Sequence, residues 1–184
     1  MISVEKDMKE IIADAARRLI EEKNVKRLTV KDIVEEGNIT RQTFYYHFDD
    51  IPSMFRWILT QKGEQLVQEA LTQKDAEQGL HFFFQMALNV APYTKRGLQT
   101  NYADELQQLL FGFCYKFFEQ IVERENMYPN SSRSDVKLFL RYHSYAIVGI
   151  LQNWTEEDTQ NMDKIVHKLH LLINGAIVPQ ESER

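Results

Sequence analysis

The chain has 184 residues, enough for one large domain or a small domain joined to a larger one, and its 43% hydrophobic and 27% charged residues exclude a disordered chain. Seven glycines and four prolines leave room for long uninterrupted elements, while the single cysteine, Cys114, excludes an intrachain disulfide and fits a reducing cytoplasm. The formal charge is −5, and residues 1–50 carry nine Lys/Arg against eleven Asp/Glu, so any affinity for nucleic acid must come from local placement of cations.

The first twenty residues scatter Glu5, Lys6, Asp7, Lys9 and Glu10, so no secretory leader is expected. Met8, Ile11, Ile12, Ala15, Leu19 and Ile20 recur at helical spacing and predict an amphipathic helix over 4–23. It should end near Asn24, a residue that tolerates the left-handed conformation found just past a helix. A short second helix begins at Thr29, with Asp32 three positions on in a capping-box pattern and Ile33 and Val34 facing inward. Gly37 and Asn38 break it, both able to adopt positive φ at low cost.

The third helix starts from Thr40 as N-cap. Ile39 and Phe44 then hold the spacing of a hydrophobic staple, and Phe48 lies one turn beyond Phe44 on the same face. Phe44 and Phe48 are therefore the expected buried pair of the run TFYYHF (43–48), and Arg41, Gln42, Thr43, Tyr45, Tyr46 and His47 spread over the remaining surface.

Past residue 50 the pattern is of long helices, at about 52–73, 76–90, 102–125, 133–154 and 159–174, with a shorter one near 93–100 and a loop at MYPNSS (127–132). Strand-like alternation is not sustained. The most apolar run, from Phe82 to Pro92, is interrupted by Gln85 and Asn89 and is too short to span a bilayer. The expected fold is all-α: an N-terminal three-helix domain over 1–50 and a C-terminal helical bundle over 51–184.

Two short helices around a tight turn, the second opening with polar and aromatic side chains, describe a helix-turn-helix, whose second helix reads a major groove. Arg41 suits a bidentate contact with a guanine edge and Gln42 one with adenine. Thr43, Tyr45 and His47 can donate to phosphate oxygens, and Tyr46 can lie against a thymine methyl or the sugar backbone. Lys31 sits beside the N-terminus of the second helix, a site that favours anions. The competing account is a plain helical hairpin whose aromatics pack on a neighbouring domain. The turn, both caps and the staple agree with one another and favour the groove-reading account.

The stretch LTVKDIVEEGNITRQTFYYHF (28–48) resembles the DNA-binding domain of TetR-type transcriptional regulators, over about residues 8–55. The resemblance implies that Thr29, Lys31, Arg41, Gln42, Thr43, Tyr45, Tyr46 and His47 occupy DNA-contacting positions. It also implies a reading head running from Thr40 to His47. Asn24 and Asn38 stand where family members usually have glycine. Ile51 stands where the family has a lysine that grips a phosphate, so Ile51→Lys should strengthen DNA binding. The segments YAIVGILQNWTEED and KIVHKLHLLI are similar to the subgroup whose C-terminal region is of the dihydroxyacetone-kinase-regulator type.

Aromatic residues crowd HFFFQM (81–86) and FGFCYKFF (111–118). A cavity for a small apolar effector is expected between the helix face of Phe83 and Met86 and that of Phe113 and Phe117, with Tyr142 and His143 as polar anchors. The structural alternative is an ordinary bundle core. Asp163, His167 and His170 share one helix face at a spacing a divalent metal could use, but no fourth ligand is identifiable, and no metal or cofactor is expected. No Gly-rich phosphate loop, nucleophile elbow or Cys–His pairing suggests an enzyme.

With the resemblance, these features lead to the expectation of a cytoplasmic, homodimeric regulator of transcription, a repressor that binds a palindromic site in double-stranded DNA. Its dimer should form through the last two long helices, about 133–154 and 159–174, with Ile147, Trp154, Leu172 and Ile173 among the apolar residues supplying the surface. An effector would favour one of several bundle conformations that separate the two reading heads differently. Control by a partner protein, and a helical adaptor without DNA binding, are the alternatives.

Overall fold

The computed structural model describes residues 7–175. Its helices, in chain order, are α1 (Met8–Glu21), α2 (Val30–Glu36), α3 (Arg41–His47), α4 (Ile51–Leu71), α5 (Ala76–Gly97), α6 (Ala103–Arg124), α7 (Arg133–Gln152), α8 (Glu156–Gln160) and α9 (Met162–Ile173), and no strand occurs among the described residues. The all-α expectation holds. Residues 4–6, predicted to open the first helix, lie outside the described residues.

Two compact units divide the chain. One is the chain up to Gly63 together with Val90–Leu110; the other is Glu64–Asn89 together with the chain from Phe111 on. Neither ends at residue 50: the first unit takes in the opening half of α4 and the turn between α5 and α6.

In the first unit α1 contributes Ile12, Ala15, Ala16, Leu19 and Ile20 to a core completed by Leu28, Ile33, Val34, Phe44, Phe48, Ile51, Met54 and Phe55. Asn24 adopts φ +49 just past α1, as its residue type suggested. In the α2–α3 turn only Asn38 takes positive φ, at +50. Gly37 has another reason to be small: a Cβ there would stand 3.2 Å from the Ile33 carbonyl oxygen and 3.4 Å from the Ala15 Cβ.

Ile51 corrects the sequence reading. It is 1% exposed and belongs to this core, so position 51 points inward and offers nothing to a phosphate. The neighbouring Asp50 opens α4. Its carboxylate accepts the Ser53 N–H at 2.7 Å, and its own N–H donates to Ser53 Oγ at 3.2 Å.

The second unit encloses Val67, Ala70, Leu80, Phe83, Phe84, Cys114, Phe117, Phe118, Ile121, Val122, Leu140, Ile147, Val148, Trp154, Val166 and Ile173. Burial pushes the Cys114 thiol up to about 12, so it stays protonated. Two predicted boundaries differ. The helices expected at 76–90 and 93–100 are one, α5, which runs through Pro92; that proline is exposed, so its ring and missing N–H cost no core packing. The helix expected over 159–174 is instead two, because Thr155 and Asp158 form a capping box that starts α8 early and Asn161 then separates α8 from α9.

Asp163 and His167 do not face a common ion. His81 Nε2 lies 2.7 Å from Asp163 and His167 Nδ1 2.8 Å from Glu77, so each is paired with α5, while His170 lies by Asn174. Among the described residues no three such groups gather closely enough to hold a metal. No helix among them is long and apolar enough to cross a membrane.

Candidate nucleic-acid interface

The α2–turn–α3 segment is held by local chemistry at each end. The Thr29 side chain accepts from the Asp32 N–H at 3.2 Å while the Asp32 carboxylate accepts from the Thr29 N–H at 3.2 Å, the reciprocal box anticipated from sequence. Thr40 caps α3, its Oγ1 accepting the Thr43 N–H at 3.0 Å. Ile39 packs against the same core as Phe44, as the staple requires. Across the bundle, Glu36 takes Arg18 at 2.9 Å and Lys23 at 2.5 Å, tying the end of α2 to α1. The hydrogen bond from Lys23, then that from Arg18, holds the Glu36 carboxyl below its usual value.

With those ends fixed, the aromatic run divides by helix geometry. Phe44 is fully buried and Phe48 nearly so, while Tyr45 is 56% and Tyr46 84% exposed and His47 is half-buried. The buried ring braces the outer one: Phe44 meets Tyr45 edge-on at 5.4 Å, and Tyr46 meets His47 in the same way at 5.0 Å. Arg41 and Gln42 are exposed in the first turn of α3. Thr40, Arg41, Gln42, Tyr45 and Tyr46 thus form one outward-facing surface at the reading helix.

Two hydroxyls are less free than their residue type suggested. The Thr29 hydroxyl donates to Asp32 at 2.6 Å, so in this conformation it has no proton left for a phosphate oxygen; Thr29 is a capping residue. The Thr43 hydroxyl shares a hydrogen bond with that of Thr40 at 2.8 Å. Lys31 is exposed, with Glu35 3.8 Å away, a pair too open to hold the ammonium in place.

Charge in the first unit is sorted by place. Arg17, Arg18 and Lys23 are spent on Asp14, Glu21 and Glu36. Arg41 and Lys9 have no carboxylate partner among the described residues. An acidic chain can in this way present local positive charge, here on α1 and α3.

One element that positions this site had no signal in the sequence. Asn101, between α5 and α6, accepts the Leu28 N–H on its side-chain oxygen at 2.8 Å, and its own N–H donates to the Lys26 carbonyl at 3.1 Å. Lys26 reaches Gln99 at 2.5 Å, and Arg96 donates to the Glu21 carbonyl. The loop before α2 is therefore clasped by residues some seventy positions away.

The expected effector residues fall in the second unit. Phe83 and Phe117 are both buried and stack at 4.3 Å, with Phe113 stacked on Phe83 at 6.1 Å, so the two faces touch where a cavity was anticipated. Met86 is partly buried. His143 lies against Phe139 at 4.1 Å, and burial lowers its affinity for a proton. Tyr142 cannot anchor a ligand among these rings: one residue from His143 the helix has turned by about 100°, and Tyr142 is 68% exposed. An open groove of about 650 Å³ lies elsewhere, along α6 and α7, lined by Phe111, Gly112, Tyr115, Ser134, Lys137, Leu138 and Arg141.

Residues 12–56 match the model of the bacterial regulatory proteins of the tetR family, and residues 74–175 match a transcriptional regulator C-terminal region. No curated protein matches the sequence. Among solved structures the fold is similar to the dihydroxyacetone kinase operon activator DhaS, at 17% identity, with a TM-score of 0.63 over 96% of this chain and 99% of that one. It is also similar to the FadR regulator of Bacillus subtilis, whose structure contains stearoyl-CoA, at 16% identity and a TM-score of 0.58 over 92% and 99%. The fatty acid degradation regulator FadR of Bacillus halodurans gives 15% and 0.57 over 94% and 97%. With both regions matched in order along one chain, the protein belongs to the TetR family of regulators, DNA-binding proteins that control transcription.

Proposed function

We propose that the protein is a homodimeric transcriptional repressor, with residues 1–50 reading a palindromic DNA site and residues 51–184 serving dimerisation and control. The observation that carries the reading is the outward surface of α3, where Arg41, Gln42, Tyr45 and Tyr46 are exposed around a buried Phe44. Arg41 and Gln42 read base edges; Lys31, Thr40, Thr43, Tyr45, Tyr46 and His47 position the helix on phosphates and sugars. Arg41→Ala is expected to weaken specific binding by about 1–3 kcal/mol and to relax preference at one base pair per half-site. Tyr45→Phe should weaken all sequences alike. Selection of bound duplexes from a random library, followed by titration of both variants, tests this; unchanged affinity and preference in both would refute it.

Dimerisation is assigned to α7 and α9, as first expected, with Gly149 and Leu172 kept from the expected residues and the others replaced. Ile147, Trp154 and Ile173 are taken up by the chain's own core. What α7 leaves outward is Leu138, Tyr142 and Tyr145, with Gly149 continuing the stripe at i+11 and open space around its Cβ position. On α9, Leu172 is exposed. Two-fold pairing of these faces would set the reading helices about 34–36 Å apart or more, the repeat of successive major grooves.

An apolar effector remains part of the proposal, and the acyl-CoA in the B. subtilis FadR structure gives it a chemical precedent of that protein. Here it would have to part the Phe83–Phe117 stack. That stack favours the second reading, control by a partner protein. A thermal shift with acyl chains or aromatic amphiphiles supports the effector; no shift across such a library supports the partner.

A further inference from the structure

We propose that Lys9, at the start of α1, is a phosphate-gripping residue of the DNA interface, held in place by an aromatic shelf. Its ammonium lies 5.5 Å from the centre of the Phe48 ring and 5.8 Å from that of Trp57. Both rings are anchored from below, Phe48 against Phe44 at 6.0 Å and Trp57 against Phe48 at 5.8 Å. A small hollow of about 240 Å³ brings Lys9 together with Tyr45, Tyr46, His47 and Ser53, so the cation borders the exposed edge of the reading helix.

Three features separate this lysine from an ordinary surface charge. It has no carboxylate partner among the described residues, unlike Arg17, Arg18 and Lys23 on the far part of α1 and beyond it. Its stem covers ring faces, which restricts the head without neutralising it. It shares the hollow with the phenols of Tyr45 and Tyr46 and the imidazole of His47, donors that suit a phosphodiester oxygen, while the Ser53 hydroxyl there is spent on the Asp50 carbonyl at 2.7 Å. Asp49 on the rim of the same hollow repels such a ligand, and Asp50, whose carboxylate caps α4 without losing its charge, adds to that repulsion, so the Lys9 ammonium is the charge in the hollow that opposes both.

The inference rests on the DNA-binding reading. Its test uses the full-length protein and a mixed-sequence duplex of about three helical turns, titrated between about 50 mM and 200 mM salt. Lys9→Met keeps the apolar stem over the rings and removes the charge. It should reduce the salt slope by about 0.9 per protomer and weaken binding roughly eightfold per contact near 0.1 M salt, for all sequences alike. The thermal midpoint should stay near that of the wild type, and Lys9→Arg should restore most of the slope. An unchanged slope in Lys9→Met, with the wild type binding normally, overturns the assignment and leaves the DNA reading intact. A lowered midpoint with an unchanged slope also overturns it, making Lys9 a structural brace. Failure of the wild type to bind duplex DNA at the lowest salt removes both.

Discussion

Ile51 offers the sharpest test of the reading domain, because sequence likeness and structure make opposite predictions for Ile51→Lys. On likeness alone the lysine adds a phosphate contact. In the structure the side chain is 1% exposed among Ile12, Phe44, Phe48 and Met54. Withdrawing a buried isoleucine forfeits about 1.5–3 kcal/mol of burial. The ammonium must then be desolvated, at several kcal/mol, or snorkel outward from the first residue of α4 and disturb its packing. A net loss of about 2–4 kcal/mol follows, since position 51 is at a helix start and partial escape is available. For a chain of this length that lowers the thermal midpoint by roughly 4–16 °C. Ile51→Val, which removes one methylene group, should cost only about 0.5–1.5 kcal/mol and calibrates the scale. Circular dichroism melts of the three proteins, with a salt titration of DNA binding below the melt, decide the matter. An Ile51→Lys protein that melts with the wild type and binds DNA with a steeper salt slope would refute the inward placement.

The remaining predictions follow from the second unit and from groups with shifted titration. Tyr142→Asp should convert the protein by sedimentation from twice the 21.8 kDa of one chain to that mass, with the chain still folded, because its ring is 68% exposed. Tyr145→Asp should do the same but also lower the melt, since it loses the 4.1 Å stack on Phe111; a wild-type monomer at micromolar concentration would remove the dimer and the palindrome together. Cys114, buried and pushed up to about 12, should resist alkylation in the folded protein and react at once when unfolded; rapid labelling under native conditions would contradict its placement. Burial lowers the folded-state proton affinity of His143 below its usual 6.5, so the unfolded chain binds the extra proton first. Its contribution is present above that value and is lost as pH falls toward the folded one. The melting midpoint should therefore drop on acidification below about pH 6.5, less so in His143→Gln.

What the sequence determined by itself was everything set over a few residues. The capping box of Thr29 and Asp32, the Thr40 cap, the positive φ of Asn24 and Asn38 and the split of the aromatic run into inward Phe44 and Phe48 and outward Tyr45 and Tyr46 all depend on neighbours within about one helical turn. Periodicity also located the long helices. It failed at Pro92 and at Thr155, where a proline's side of the helix and a reciprocal cap outweighed the apparent break. The tertiary structure decided what depends on partners distant in sequence. Which apolar residues of α7 face inward is settled by α5, α6 and α9, so Ile147 is core and Tyr142 is not. Likewise the Phe83–Phe117 stack, the clasp of Asn101 on residues 26–28 and the inward turn of Ile51 involve groups whose distance apart no local pattern encodes. A helical repeat tells which residues share a face, but only the packing of that face against the rest of the chain tells whether it meets protein, solvent or DNA.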